Sequence, residues 1–453
     1  MSRSRTLEAV ALAGGLAAQL VLFARPLHNS VSYDEAVYLA GLDALRHGQA
    51  LGSQVFSAQF PGFYDLLRGL SYITGIGLTN VRAGMLAVAA LGSIGGYLLG
   101  RRYGGPIGGL LVVAFLTIAP PLDLWQYQVI ADTPCLALML LALGLATLPG
   151  PAAAAGAGAA LGAALSVKPT ALLVVPALVW LLRRRSGIAL GAAAAVFGAV
   201  LLAHVGALGD LWTSAITYHR EAGSTPAVLP HPHQAIFHQI PRNTPFAVLA
   251  IVGAVVAAVY ALLRRPLGTW ALWVWVGLTI VVLLVYKPLH DNHLIAFPYA
   301  LAVAAAVTIG AAVARIRTRT FTAVAVAVLV AAIVPGYVQQ WHRVTTGLVP
   351  QDPAAAAAAR ALDRITAPGA VTVDDHPIVS FLAHRRVEGP LVDLAFLRFE
   401  TGSLTDADVI DGARDADAVV VSRALNDRPI VLAYVKERFR LRYDRGGVRI
   451  WTR

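Results

Sequence analysis

Long apolar stretches, broken at alternate turns by arginines, constrain this chain more than any other feature. A spanning helix needs about 20 mostly apolar residues, and about eleven segments approach that length. They run Leu7–Ala24, Val81–Leu99, Pro106–Pro121, Pro134–Leu148, Ala152–Val167, Thr170–Leu182, Ile188–Val205, Pro245–Leu263, Thr269–Val285, Leu294–Ala314 and Phe321–Val338. The Pro149-Gly150-Pro151 break marks a turn between the two short segments on either side of it. Only 13% of the residues are charged, against about a quarter in a soluble domain. The deficit fits a bilayer, where a charge at the centre costs roughly 2.5–3.5 kcal/mol. The mean hydropathy, +0.66, agrees.

The basic residues orient the spans. With the N-terminus in the cytoplasm, Arg101, Arg102, Arg183, Arg184, Arg185, Arg264, Arg265, Arg315, Arg317 and Arg319 all fall in cytoplasmic loops. That arrangement accounts for the net charge of +11 without nucleic acid. The N-terminal Arg3 and Arg5 before an apolar run resemble a signal peptide, but no small-residue cleavage pattern precedes His28, so the run reads as a retained first helix. The expectation is a multi-pass plasma-membrane protein with a cytoplasmic N-terminus.

The fold class expected is an all-α polytopic domain over residues 1–340, followed by a small extracytoplasmic α/β domain over 341–453. In that tail, Val371–Asp374 and Ala418–Ser422 read as buried strands. Asp352–Ile365 and Ile430–Phe439 read as helices, and a hairpin closes around Gly446-Gly447. Fifteen of the 25 acidic residues lie there. Within the first external loop, two short helices are expected, after Ser32 and after Gln59-Phe60-Pro61, too short and polar to span.

Residues with chemistry gather on the outer side. Asp34-Glu35 follows the first span, and Asp132 opens a later one. A carboxylate at the lip of the bilayer serves as a general base when it reaches a hydroxyl; each also reads as a helix cap. The chain has 33 arginines but three lysines, and Lys168 and Lys287 both sit at the outer lip before a proline. A compact ammonium there suits a lipid phosphate or snorkels to headgroups. His290 and His293 share one helical face. No fixed metal-ligand spacing is present, so no cofactor is expected and a divalent metal has no support in the sequence. The single cysteine, Cys135, excludes an internal disulfide. There is no P-loop, which argues against an ATP-driven pump.

Taken in order, Tyr33-Asp34-Glu35-Ala36-Val37-Tyr38, Pro61-Gly62-Phe63-Tyr64, Ala131-Asp132-Thr133-Pro134, Val167-Lys168-Pro169 and His290-Asp291-Asn292-His293 resemble the GT-C glycosyltransferases, in the protein O-mannosyltransferase and lipid A aminoarabinose-transferase branch. The resemblance implies a membrane glycosyltransferase that moves a sugar from a polyprenyl-phosphate donor to a glycan, lipid or protein acceptor. It implies Asp34 as base, Glu35 beside it and Asp132 in support. Lys168, Lys287, Arg242, His290 and His293 become candidates for the donor phosphate. Tyr33, Tyr38, Gln59, Pro61 and Tyr64 become candidates for the substrate pocket. Where the aminoarabinose branch carries Glu-Lys-Pro-Pro, this chain has Ala58-Gln59-Phe60-Pro61, so that specificity does not transfer. A flippase for a lipid-linked glycan and a non-catalytic assembly factor are the other classes; a flippase would favour polar residues within the spans and repeat symmetry.

The topology is tested with fusion reporters at Arg184 and Arg453, which should report opposite sides of the membrane. Both on one side would put the span count off by one.

Overall fold

A computed structural model describes residues 3–224, 231–263, 267–350 and 352–453; Arg264 and Arg265 lie outside the described residues. The main helices are α1 Arg3–Ala24, α2 Tyr33–Arg46, α3 Pro61–Thr74, α4 Leu78–Ile118, α5 Asp132–Ala146, α6 Pro151–Val167, α7 Val175–Leu182, α8 Ser186–Ala203, α9 Thr244–Leu262, α10 Trp270–Val285, α11 Ala296–Val313, α12 Arg319–Thr346, α13 Pro353–Ile365, α14 Asp406–Asp415 and α15 Pro429–Arg438. Proline opens several of them, where its fixed φ suits the first turn and its missing N–H has no partner to lose. The five strands are β1 Val371–Asp374, β2 Arg386–Val387, β3 Ala418–Val421, β4 Arg440–Arg445 and β5 Val448–Thr452.

By length and composition, six helical stretches among the described residues can cross a membrane: Arg5–His28, Leu78–Ile118, Pro169–Ala203, Thr244–Leu262, Asp291–Val313 and Arg319–Thr346. Shorter apolar helices α5, α6 and α10 accompany them. Two of the six are broken inside. In α4 the backbone turns at Gly105, with φ 61° and ψ −159°, just before Pro106. The two halves fold back together: a Cβ on Gly100 would lie 2.3 Å from the Gly108 carbonyl oxygen. The other break is at Arg183, φ 50°, between α7 and α8. Each expected apolar segment therefore corresponds to helix, and the chain is a multi-pass membrane protein.

The chain divides into two compact units. The first comprises residues 1–27, 82–200 and 228–348. In it, the Asp291–Val313 stretch has 94% of its apolar window buried, against 11% for Arg319–Thr346, so α11 is the central helix and α12 presents its side chains outward. Small residues let the helices close on one another, as in membranes, where association relies on packing and not on water exclusion. A Cβ on Gly95 would stand 2.5 Å from the Leu141 Cα, and one on Gly144 2.3 Å from the Gly95 carbonyl oxygen, which clamps α4 to α5. Gly104 meets Gly310 and Gly253 meets Ala305, bringing α4 and α9 onto α11.

The second unit comprises residues 28–81, 201–227 and 349–453. Its sheet runs β2-β1-β3-β5-β4, with β1 parallel to both neighbours and β3, β5 and β4 antiparallel. Val373, Val419, Val421, Val431, Val435 and Trp451 lie in its core. The strand order reverses beside β1, and there Asp375 accepts from the backbone amides of Ser422, Arg423 and Leu425 at 2.7–2.8 Å, tying the carboxyl ends of β1 and β3. Burial pushes the neighbouring Asp374 carboxyl up to about 8. The tail is not packed by itself. The Phe56 amide donates to the Gly389 carbonyl at 3.2 Å, and a Cβ on Gly389 would lie 2.2 Å from the Gln54 oxygen, so the first loop is seated on it.

Gly95→Ala should lower the melting temperature of the purified protein in detergent, since the methyl group has only backbone to displace. Gly191→Ala in α8, where nothing lies within 4 Å of the added carbon, should leave it unchanged. Equal effects would show that glycine packing does not clamp α4 to α5.

Candidate active site

Asp132 and Lys168 were expected to act separately, and the structure joins them. The Lys168 ammonium donates to both Asp132 carboxylate oxygens, at 2.6 and 2.7 Å, and both side chains are buried. Asp132 opens α5 without making a side-chain cap bond, so capping does not explain it. Lys168 sits in an extended turn between α6 and the Pro169–Val174 helix. The pair lines a narrow cavity with Cys135, Thr170, Tyr286 and His293, holding about 30 Å³ of water-accessible space. His293 stands edge-on to Tyr286, ring centroids 4.9 Å apart. Its Nδ1 accepts from the His290 amide at 3.3 Å, and the His290 side chain caps the same short helix in return. The spacing that suggested a shared face thus serves to fold the turn that brings His293 to the cavity. Lys287 and Arg242 are exposed; Arg242 donates to the Gln239 side chain at 2.7 Å. Among the described residues neither is paired with a carboxylate. Cys135 is buried and points at Thr170 and the Lys168 carbonyl, each 3.8 Å from its sulfur.

The acidic motif of the first loop belongs to the other unit. Ser32 caps α2: its backbone is extended and its hydroxyl accepts from the Glu35 amide at 3.3 Å. The capping task proposed for Asp34 is therefore done by Ser32. Asp34 is exposed on the first turn, whereas Glu35 is fully buried. Tyr33 is anchored from the tail. Its hydroxyl donates to Asp393 at 3.0 Å, and the Arg423 guanidinium lies over its ring at 4.3 Å. Desolvation, then the Asp393 charge, holds the Tyr33 phenol well above its ordinary range, so it remains a donor. Arg423 follows β3 at the reversal of strand order, so the first loop meets the tail at the strand ends.

Of the remaining pocket candidates, Tyr38, Pro61 and Tyr64 are buried. The Tyr38 hydroxyl accepts from the Gln59 side-chain Nε2 at 2.8 Å, and its ring stands edge-on to Phe63 and Tyr64. Gly41 permits this: a Cβ there would lie 2.8 Å from the Tyr64 hydroxyl oxygen. Among the described residues, the Tyr64 hydroxyl has no hydrogen-bond partner. These residues hold α2 against α3.

Sequence reasoning missed Arg398 and Tyr218. Arg398 lies over the Phe56 ring at 3.7 Å and donates to the carbonyls of Asp393 and Pro390. Tyr218 stacks edge-on to Phe56, and the negative charge of Asp34 contributes to keeping its phenol protonated, after burial and Asp393. His219 bonds the Ala58 carbonyl at 2.7 Å. None of these contacts has a local sequence signature. Among the described residues, no three His, Cys, Asp or Glu side chains converge as a metal site requires.

No protein-family model matches the chain, and no curated protein matches it. Comparison with solved structures identifies the fold, which is the GT-C fold that the sequence led us to expect. ArnT from Cupriavidus metallidurans bound to undecaprenyl phosphate superposes with a TM-score of 0.70 at 14% identity, covering 100% of this chain and 98% of that one. Its apo state gives 0.71 at 13% identity, covering 99% and 98%. The archaeal oligosaccharyltransferase AglB from Archaeoglobus fulgidus, in complex with an inhibitory peptide and a dolichol-phosphate, gives 0.57 at 12% identity, covering 100% and 75%. At such identities the likeness is one of fold.

Removing one partner of a buried ion pair strands a charge and costs about 3–5 kcal/mol, whereas replacing both with neutral groups is often harmless. Asp132→Asn and Lys168→Met should each lower thermal stability sharply, and the double variant should recover most of the loss. A double variant no more stable than the worse single one would mean that the pair is not the unit of stability.

Proposed function

We propose that the chain is an integral-membrane glycosyltransferase that moves a sugar from a polyprenyl-phosphate donor to an acceptor hydroxyl on the outer face, with inversion, and with Asp34 as general base. One observation carries the choice of base: Asp34 is exposed on the first turn of α2, a helix start whose N-cap is Ser32 and whose neighbouring Tyr33 is anchored by Asp393. The fold likeness to ArnT bound to undecaprenyl phosphate and to AglB with a dolichol-phosphate supports the donor class.

In this reading Asp34 takes the acceptor proton as the acceptor oxygen bonds the anomeric carbon. The bond from that carbon to the phosphate oxygen breaks, and the phosphate leaves with the electron pair. A positioned base contributes typically 10²–10⁴-fold. Cations are needed where the leaving charge develops. Lys168 enters as half of a neutralised pair, so Lys287 and Arg242 carry the uncommitted positive charge. His293 and His290 shape the turn beside the cavity. Asp132 acts by holding Lys168, a supporting role. Glu35, buried, supports the α2 turn. The tail, through Asp393, Arg398 and Arg423, sets the position of Tyr33 and so of the residue after it. No cofactor enters the scheme.

The test is turnover with purified protein and a panel of radiolabelled polyprenyl-phosphate sugars. Asp34→Asn, which keeps shape but takes no proton, should fold normally and lose at least about a hundredfold in rate. Ser32→Ala should cost about 1 kcal/mol of stability through the lost cap and spare most of the rate. Near-normal turnover by a well-folded Asp34→Asn protein would sink the mechanism.

A further inference from the structure

At the far end of α5 from Asp132 lies a second cavity, of about 450 Å³, lined by Arg102, Tyr103, Thr147, Trp180, Arg183 and Arg185. Fifteen residues of helix separate the two ends, about 22 Å at 1.5 Å per residue, so this cavity is remote from the Lys168 pair. We propose that it binds the phosphate headgroup of an anionic phospholipid.

The argument begins with charge. Three arginines line the cavity, and among the described residues no carboxylate does. An acid is available nearby, but Glu8 is taken by Arg101 and Tyr97. Like charges gathered without a counter-ion repel, and only a part of that is relieved within the protein. Arg185 holds the turn between α5 and α6, donating to the Leu148 and Gly150 carbonyls at 3.1 and 3.0 Å. Arg183 lies over the Trp180 ring at 5.3 Å. Neither interaction supplies negative charge of the strength that a phosphodiester would, and the planar guanidinium suits a phosphate.

Backbone geometry adds a second observation. Arg183 has φ 50° and ψ −115°, a conformation that glycine adopts readily and a side chain rarely does. An arginine held there is positioned by its surroundings at an energetic cost.

Depth selects a lipid over a free anion. Trp180 and Trp270 pack edge to face, 4.6 Å apart, and both are substantially exposed at the ends of apolar helices. Tryptophan at a helix end marks the headgroup level. The arginine distribution assigns this end to the inner leaflet, where basic pockets between spans receive acidic headgroups.

The experiment uses the full chain, purified and delipidated, with native mass spectrometry after titration with phosphatidylglycerol or phosphatidylcholine. One phosphatidylglycerol per chain should survive conditions that strip phosphatidylcholine. Arg102→Gln combined with Arg183→Gln should bind roughly 30-fold more weakly, about fivefold per arginine removed. Arg183→Gly relieves the backbone, so it should fold at least as well as the parent and still lose affinity. Equal retention of the two lipids, or undiminished binding by a folded Arg183→Gly protein, would overturn the proposal. Displacement of phosphatidylglycerol by millimolar inorganic phosphate would also overturn it, since the occupant would then be a free anion.

Discussion

In a bilayer each backbone N–H and C=O must be satisfied within the chain, because no water is present to do it. That single requirement makes the membrane unit helical and leaves its side chains to settle how the helices meet. Here they meet through very small residues. Gly95 against Leu141 and Gly144, Gly104 against Gly310, and Gly253 against Ala305 allow backbones to touch. The interior so formed has room for few charged groups. Among the described residues of this unit, Lys168 with Asp132 and Arg343 with Asp123 are ion pairs in which at least one partner is almost wholly buried. Chemistry is thereby displaced to the ends of the spans and to the segments between them.

Those segments form a unit of their own with the tail. Its composition explains how a loop after the first span gains a fixed shape. Residues 28–81 rest on the tail: Phe56 is covered by Arg398, Tyr33 by Arg423, and Gly389 takes the backbone of Gln54. The sheet supplies the rigidity: Asp375 binds three backbone amides at the strand ends, and the residue among them that projects outward, Arg423, is the one that holds Tyr33. A base must be held within hydrogen-bond reach of its target to be effective. A helix start pinned on both sides, by the Ser32 cap and by Asp393 on Tyr33, meets that condition better than a free loop.

Periodicity and composition were enough for the helices, because an apolar run of span length has few other fates. They were also enough for β1, β3, the closing hairpin and the two flanking helices of the tail, whose apolar blocks end at glycine or proline. The two-residue strand β2 was invisible, since Arg386-Val387 carries no pattern and is a strand only by pairing with β1. Site residues were legible as types and not as partners. Asp132 and Lys168 stood out because each is a rare charge at a helix end, yet nothing local says that residues 36 apart in sequence form one ion pair. Tyr38 and Tyr64 stood out as motif aromatics, and nothing local announced that their rings stand edge-on to one another between α2 and α3. Arg398 and Tyr218 went unnoticed because their importance comes from Phe56, a neighbour only in the folded chain.

The two arginine behaviours in this protein separate topology from binding. Arginines that only fix orientation need no partner beyond water and headgroups, and Arg184 is not among the residues that line the cavity of its neighbours. Arg183 and Arg185, on either side of it, line one cavity with Arg102 from a different helix. Positive-inside sorting acts on the number of charges near a span and is indifferent to their direction. It accounts for three arginines in a row, but not for two of them converging on a third from across the helix bundle, nor for one held at positive φ. That convergence is a property of the fold, and a bound anion is what gives it an energetic reason.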